Sequence, residues 1–333
     1  MRCIDLFAVQ AWVSAETYSS PAAFRAAVFD AVDRCHAVSA GDVPALIVFP
    51  ENVGTFLFLA TMGTLGQRLR SPTLGMGVAL ARNPRAFLRA LRDRPKPSVA
   101  ALRSVAPDVR GLYEETFSAA AARAGATVVA GSALLPDGDD GRVYNLSLSF
   151  GPQGEVLGRT RKVNLVPGLE DTLGLTPGRP EDIPVVETSV GRLATLICYD
   201  GFAVPHTDDE PHWVRAGACL GPRGAHIVAQ PAANPWAWDG DWVHRRAGEP
   251  ILRREQWALE GLQRELQRLE GVRYGVTAHL CGEVLGQPFE GRSAILERGT
   301  DGDVRVVAEA PRVGRTAADA AIVRARVEAP WLA

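Results

Sequence analysis

The chain has 333 residues, 47% hydrophobic and 22% charged, with 36 Lys and Arg against 38 Asp and Glu. That length and apolar content can fill a sizeable core, which excludes intrinsic disorder and a disulfide-stapled miniprotein. A net charge of -2 argues against a nucleic-acid binder that relies on bulk charge, and apolar stretches such as 56–66 are too short to span a bilayer and are soon followed by arginines.

The N-terminus carries one Arg, an apolar middle and small residues, a superficial likeness to a signal peptide. Asp5 and Gln10 interrupt the apolar part, so the segment reads as a first strand, 3–11. Further β-branched or apolar runs bounded by Gly, Pro and Asp predict strands at 45–50, 126–133, 143–150, 155–163, 192–199, 225–231, 272–280, 292–297 and 304–308. Helices are expected at 21–38, 84–92, 108–124, 212–220 and 251–270. Ser20-Pro21 before an Ala-rich run is a helix start, and Gly125 is a C-terminal stop. Gly151-Pro152-Gln153-Gly154 between two strands reads as a hairpin turn. Consecutive strands exclude a strict (β/α)₈ barrel and favour a layered α/β sandwich. With no linker, low-complexity tract or short repeat, one domain over 1–333 is expected. The basic residues Arg82, Arg85, Arg89 and Arg92 fall at helical spacing and read as the solvated face of a surface insertion at about 56–107. The sharper alternative is a lid or a surface for an anionic partner.

Five cysteines, Cys3, Cys35, Cys198, Cys219 and Cys281, are an odd number without a Cys-x-x-Cys pair. That fits free thiols in a reducing compartment, the cytoplasm, better than disulfides or a zinc site. Cys35 and His36 are neighbours, but adjacent residues of a helix point in different directions and make no dyad. The six histidines, at 36, 206, 212, 226, 244 and 279, show no metal-ligand spacing, and no metal is expected.

Three places put a reactive side chain at the end of a buried-looking strand, where substrate clefts of α/β layers form. The run Ala45-Leu46-Ile47-Val48-Phe49-Pro50 ends directly at Glu51, which alone reads as a solvated loop acid. Lys162 lies on the strand returning from the hairpin turn, ordinarily a surface position. Yet Lys96 and Lys162 are the only lysines among 36 basic residues, and Arg cannot substitute where a compact ammonium must reach one oxygen. The strand 192–199 ends in Cys198-Tyr199-Asp200-Gly201, whose cysteine alone reads as an inert core thiol.

Together, Phe49-Pro50-Glu51, Arg161-Lys162-Val163-Asn164-Leu165 and Ile197-Cys198-Tyr199-Asp200, in that order, resemble the motif set of the nitrilase superfamily of carbon–nitrogen hydrolases. The similarity runs from Phe7-Ala8-Val9-Gln10 to Gly291-Arg292-Ser293-Ala294. It implies a four-layer α-β-β-α sandwich, a homodimer or larger assembly, and no cofactor. It also puts Glu170 where the family's additional active-site glutamate would sit. The implied reaction is hydrolysis of a small amide or carbamoyl compound. An amide is a poor electrophile, so a covalent step through a thiolate helps. Cys198 would be the nucleophile, Glu51 its general base, and Lys162 with the N–H following Cys198 the donors to the developing oxyanion. Glu170 would orient the lysine or the substrate nitrogen.

Departures bear on the substrate. True nitrilases usually carry Cys-Trp-Glu at the elbow, so Cys198-Tyr199-Asp200 favours an amidase over a nitrile hydrolase. The following Gly201-Phe202-Ala203-Val204-Pro205-His206 lacks the acidic residue of many relatives, and Gln267-Arg268-Leu269-Glu270-Gly271 only partly matches another family stretch. Tyr144, Tyr199, Asn234 and Trp236 are substrate-pocket candidates by position only. Nitrile hydrolysis, acyl transfer to an amine, and a scaffold that keeps the fold without turnover remain as alternatives.

Overall fold

A computed structural model describes the chain except residues 1, 40, 42, 92–94, 244–249 and 333, and the side chains of residues 64 and 67. Arg92 and His244 therefore lie outside the described residues. The first half comprises β1 (Cys3–Val13), α1 (Pro21–Val38), β2 (Ala45–Val48), α2 (Thr64–Arg68), α3 (Pro72–Arg82), α4 (Pro84–Ala90), α5 (Pro97–Ala124), β3 (Thr127–Val129), β4 (Ala133–Pro136), β5 (Val143–Phe150) and β6 (Val156–Arg161). The second comprises β7 (Val185–Thr188), β8 (Gly191–Thr195), β9 (Ile227–Ala233), α6 (Arg253–Glu260), α7 (Leu262–Gln267), β10 (Tyr274–Val284), β11 (Gln287–Phe289), β12 (Ala294–Arg298), β13 (Val304–Glu309) and β14 (Ala321–Glu328).

Two sheets lie face to face. In the first, β5 carries β6 on one side and β3 and β4 on the other, and the order continues through β2 and β1 to β14. The second runs β7–β8–β9–β10, then β12 and β13, with β11 beside the far end of β10. They join where Ala11, Trp12 and Val13 of β1 leave β14 and pair in parallel with β10.

Period-two alternation along β1 explains the layering. Ile4, Leu6 and Ala8 point between the sheets, where with Leu46 and Val48 they meet Leu193, Ile227, Ala229 and Val276. Phe7 and Val9 point the other way, with Ile47, Phe49 and Val128, and pack under Phe24, Val28 and Val32 of α1 and Phe117 and Ala120 of α5. Outside the second sheet, Ala194, Leu196 and Val228 lie under Leu262 and Leu266 of α7. The result is the expected α-β-β-α sandwich.

The departures from the sequence reading have local causes. The strand expected over 126–133 splits into β3 and β4 because Gly131 turns at φ 69°. A Cβ there would lie 2.0 Å from the Pro50 carbonyl oxygen, so only glycine fits the passage. The helix expected from 108 begins at Pro97 and runs through Pro107, carried by a buried face of Val99, Leu102, Val105 and Ala106. The stretch 212–220 holds only a 3₁₀ turn, Ala216–Cys219, and 251–270 breaks into α6 and α7 at Gly261. Strands β7, β11 and β14 and helices α2 and α3 were not expected.

β14 was passed over although Val323, Ala325 and Val327 alternate with Arg324, Arg326 and Glu328, the period-two pattern of a half-buried strand. Both arginines reach Asp5 on β1, which is fully buried; Arg326 donates from Nε at 3.0 Å and Nη2 at 2.9 Å, and Ser39 Oγ donates at 2.9 Å. Burial pushes the Asp5 carboxyl up, but hydrogen bonds from Arg326 and Ser39 and the Arg324 charge outweigh it and hold its pKa below the usual range. A depressed folded pKa gives stability that is complete above the unfolded value and lost as pH falls through the folded one. Asp5→Asn is therefore expected to lower unfolding stability by about 2 kcal/mol at neutral pH. The gap to the parent protein should close in acid, which urea titrations at a series of pH values check.

Candidate active site

The three strand-end segments converge. Phe49 N–H donates to Val129 O at 2.9 Å, which extends the β2–β3 pairing to the Pro50 corner. Asn52 turns left-handed at φ 62° and its N–H donates to Ser132 Oγ at 2.9 Å. Glu51 is thereby held inward, 2% exposed. Lys162 leaves β6 with its N–H on Asn145 O at 2.9 Å, while its own carbonyl accepts from Gly178 N–H at 2.7 Å. β8 stops at Thr195, short of the predicted 199, because Cys198 adopts φ 49° and opens a 3₁₀ turn, Cys198–Gly201. Left-handed backbone at a residue with a Cβ is strained and persists only where its surroundings fix it. Gln230 Nε2 donates to Cys198 O at 2.8 Å, and Thr277 Oγ1 fixes Gln230 Oε1 at 2.7 Å. Asp200 ties this turn to the lysine segment, accepting from Val163 N–H at 3.0 Å and Asn164 N–H at 2.7 Å.

Lys162, 1% exposed, donates from Nζ to Glu51 Oε1 at 2.7 Å and to Glu170 Oε2 at 2.6 Å. Asn145 Nδ2 bridges the same two carboxylates, at 2.9 Å to Glu51 Oε1 and 2.8 Å to Glu170 Oε1. Val166 N–H adds a bond to Glu170 Oε2 at 2.9 Å. The Cys198 thiol feels the charges of Glu51 and Lys162 and lies 3.7 Å from the Ala233 carbonyl oxygen.

The electrostatics follow from burial. Desolvation raises the Glu51 pKa, and the neighbouring Glu170 charge adds to it against the pull of Lys162. Burial opposes the Lys162 charge, but Glu170 and Glu51 together hold its pKa well above the ordinary value. Burial and the Glu51 charge push the Cys198 thiol up, Lys162 opposing. The resting arrangement is therefore a protonated thiol beside a carboxylate of raised basicity, with a fixed ammonium next to both. Asp200, pushed up to about 7 by burial, sits just behind.

Glu51, Lys162, Glu170 and Cys198 thus form one cluster. Tyr144 stands apart: Asn145 faces the cluster, so its neighbour takes the other face of β5, where the Arg161 guanidinium lies 4.4 Å from the ring centroid. Tyr199 is fully buried; its hydroxyl donates to Glu210 Oε2 at 2.7 Å and accepts from His206 N–H. Asn234 donates to the carbonyls of Trp236 and Glu290 and accepts from Arg253 Nε at 2.8 Å. Trp236 is half-buried, its ring edge-to-face with Trp242 at 5.2 Å. The sequence reading missed Asn145 and Gln230. A polar amide inside a run of strand formers such as Val143-Tyr144-Asn145-Leu146 is the signal that was available. Among the described residues no group of three or more His, Cys, Asp and Glu is arranged to hold a metal ion.

The family model described as carbon-nitrogen hydrolase matches residues 35–204, just over half of the chain. Omega-amidase NIT2 of Xenopus tropicalis is 33% identical over 102 residues, 28% of this chain and 36% of the relative. The chloroplastic omega-amidase of Arabidopsis thaliana is 31% identical over 114 residues, 32% and 27% respectively. The match thus spans about a third of the length of these relatives. In structure the chain is similar to Saccharomyces cerevisiae Nit3, a member of branch 10 of the nitrilase superfamily, with a TM-score of 0.60 and 17% identity over 99% of this chain and 92% of that one. It is also similar to an amidase variant from Nesterenkonia sp. AN1 that carries acrylamide added to its active-site cysteine, with a TM-score of 0.58 and 19% identity over 99% and 95%. At such identities the likeness shows the fold.

A thiol whose proton passes to an adjacent carboxylate should alkylate differently from one without a base. Cys35 and Cys281, both buried, are pushed up to about 12 by burial and are expected to stay unmodified by iodoacetamide in the native protein, while Cys198 reacts. Glu51→Gln should slow the Cys198 reaction by about 100-fold and leave that of half-buried Cys3 unchanged, as peptide mapping over time will show.

Proposed function

The chain belongs to the carbon–nitrogen hydrolase family, and on that premise we propose that it hydrolyses a small carboxamide or carbamoyl compound through a thioester on Cys198, releasing ammonia or an amine. The observation that carries the reading is the buried meeting of Glu51, Lys162 and Glu170 beside the Cys198 thiol. The similarity to omega-amidases, and to an amidase whose variant carries acrylamide on its active-site cysteine, supports it. So does the Cys198-Tyr199-Asp200 elbow.

Glu51 takes the thiol proton as sulfur attacks the carbonyl carbon. Raised basicity suits it to a proton it must later give up. The carbonyl oxygen becomes an anion, to which Lys162 Nζ and the Tyr199 N–H are the donors. In a water-poor site such donors act at full strength, and one is worth about 3–4 kcal/mol. Glu51 returns the proton to the nitrogen, the C–N bond breaks, and the thioester remains. Water then enters, loses a proton to Glu51, and releases the acid while the thiol re-forms. Glu170 and Asn145 keep Lys162 and Glu51 at fixed separation throughout. The same reading takes the chain as a homodimer or larger assembly.

Ammonia release from matched panels of amides and nitriles tests the proposal. Amides should turn over, with kcat lowered by at least about 100-fold in Glu51→Gln and by a similar factor in Lys162→Arg, whose planar fork cannot replace the ammonium. Turnover of nitriles alone, or near-parental rates in Glu51→Gln, would contradict it.

A further inference from the structure

The insertion at about 56–107 carries a surface that the chemistry at Cys198 does not use. Between Glu51 and Asp93 there are six arginines and no acidic residue, in a chain whose net charge is -2. The rest of the chain is therefore net acidic, and positive charge is gathered on this segment. Arg68, Arg70, Arg82, Arg85 and Arg89 lie among the described residues and are all exposed. None of the five forms an ion pair among the described residues. Elsewhere exposed arginines such as Arg123 and Arg315 sit on carboxylates, Asp33 and Asp239.

α3 and α4 both lie on the first half of α5. Met76 packs with Val99 and Leu102, and the Ala90 carbonyl accepts from Arg103 Nη1 at 3.4 Å. The inner side of α3 is marked by Gly75 and Ala79, the two buried residues among its eleven. A Cβ on Gly75 would meet Phe58 and Leu285. The outer side is apolar too. Leu74, Gly77 and Ala81 recur at i, i+3 and i+7 and are exposed, Leu74 by 63%. A Cβ added at Gly77 would touch nothing within 4 Å. A surface helix ordinarily turns charged and polar residues outward, yet the one charge of α3 is Arg82, at its last position. α4 buries no residue and sets Leu88, 66% exposed, on one face with Arg85 and Arg89.

We propose that the α2–α4 segment is a peripheral docking surface for an anionic lipid bilayer, with α3 and Leu88 entering the interface and the arginines meeting headgroup phosphates. An apolar helix face accompanied by arginines is the composition of helices that lie in the headgroup boundary, and each arginine near a negatively charged leaflet adds to the attraction. At eleven residues α3 is about 16 Å long, and among the described residues no helix is long and apolar enough to cross a membrane. The protein therefore lies on the bilayer, and its net-acidic remainder, repelled by the same leaflet, orients this side towards it. A second copy of the chain fits the face less well, because a two-fold contact would set arginine against arginine. A nucleic acid would satisfy the arginines and leave Leu74 and Leu88 uncovered. The proposal is independent of the reaction at Cys198.

Flotation of the whole protein with lipid vesicles tests it. Vesicles of equal parts phosphatidylcholine and phosphatidylglycerol should bind the protein at least about 10-fold more tightly than phosphatidylcholine alone, and high salt should weaken that binding. Arg85→Gln with Arg89→Gln, and separately Leu74→Ser with Leu88→Ser, should each lower it by about 10-fold. Leu74→Trp should raise it. These positions are exposed, so thermal unfolding of the variants should match the parent. Binding no better than to phosphatidylcholine, or full binding by both double variants, would overturn the inference. So would binding that ignores the leucine changes and is matched by single-stranded DNA, which marks a general polyanion surface. A lipid-free dimer that Leu74→Ser with Leu88→Ser dissolves would overturn it as well, giving the face to a second copy.

Discussion

The ammonium of Lys162, held between Glu51 and Glu170 with almost no access to water, is the constraint on which the rest depends. Taking three such charges out of water costs several kcal/mol per ion, and only close geometry with extra hydrogen bonds offsets it. Asn145 and the Val166 N–H supply those bonds. A triad so enclosed is weak evidence of stabilisation. It is better understood as a fixed electrostatic field into which the Cys198 thiol is placed, the kind of perturbed buried cluster that functional sites accumulate.

The sandwich delivers that field by ending strands on a common edge. Glu51 follows β2, Lys162 follows β6, and Cys198 follows β8, so each side chain is carried by backbone locked in a sheet while its own residue sits at the exit. The left-handed turn at Cys198 is held by Gln230 from below, and Asp200 fastens it to the Val163–Asn164 backbone. Gly131 lets the chain pass against the Pro50 carbonyl and thereby sets the corner that presents Glu51. Positioning of this kind is what a reaction through a weakly acidic thiol requires, because proton transfer depends on heavy-atom distances of about 3 Å.

How much was legible in the sequence depended on how local the cause was. β1, α1, β5 and the hairpin turn were readable from alternation, a Ser-Pro start and a Gly-rich turn, because their determinants lie within the segment. β14 was overlooked despite its alternation; what the sequence did not show is that Arg324 and Arg326 meet Asp5, more than 300 positions away. α5 ran through Pro107 because packing outweighed one missing N–H. The charged members of the cluster were found by motif order, which is a resemblance between chains. Their mutual distances were not available from the sequence. Asn145 and Gln230 were missed for the same reason: a buried polar residue acquires meaning from what faces it. The pocket candidates chosen by position fared unevenly. Trp236 packs into one apolar cluster with Cys198 and Tyr199, whereas Tyr144 turned to the opposite face of its strand.

The account stands on covalent attack by a single sulfur, and time-resolved intact mass spectrometry addresses that most directly. Mixed with an activated small amide, the parent protein is predicted to gain one acyl mass within the first turnover, mapped to Cys198 and absent from Cys198→Ala. No transient mass gain, or an adduct that survives loss of Cys198, would contradict it.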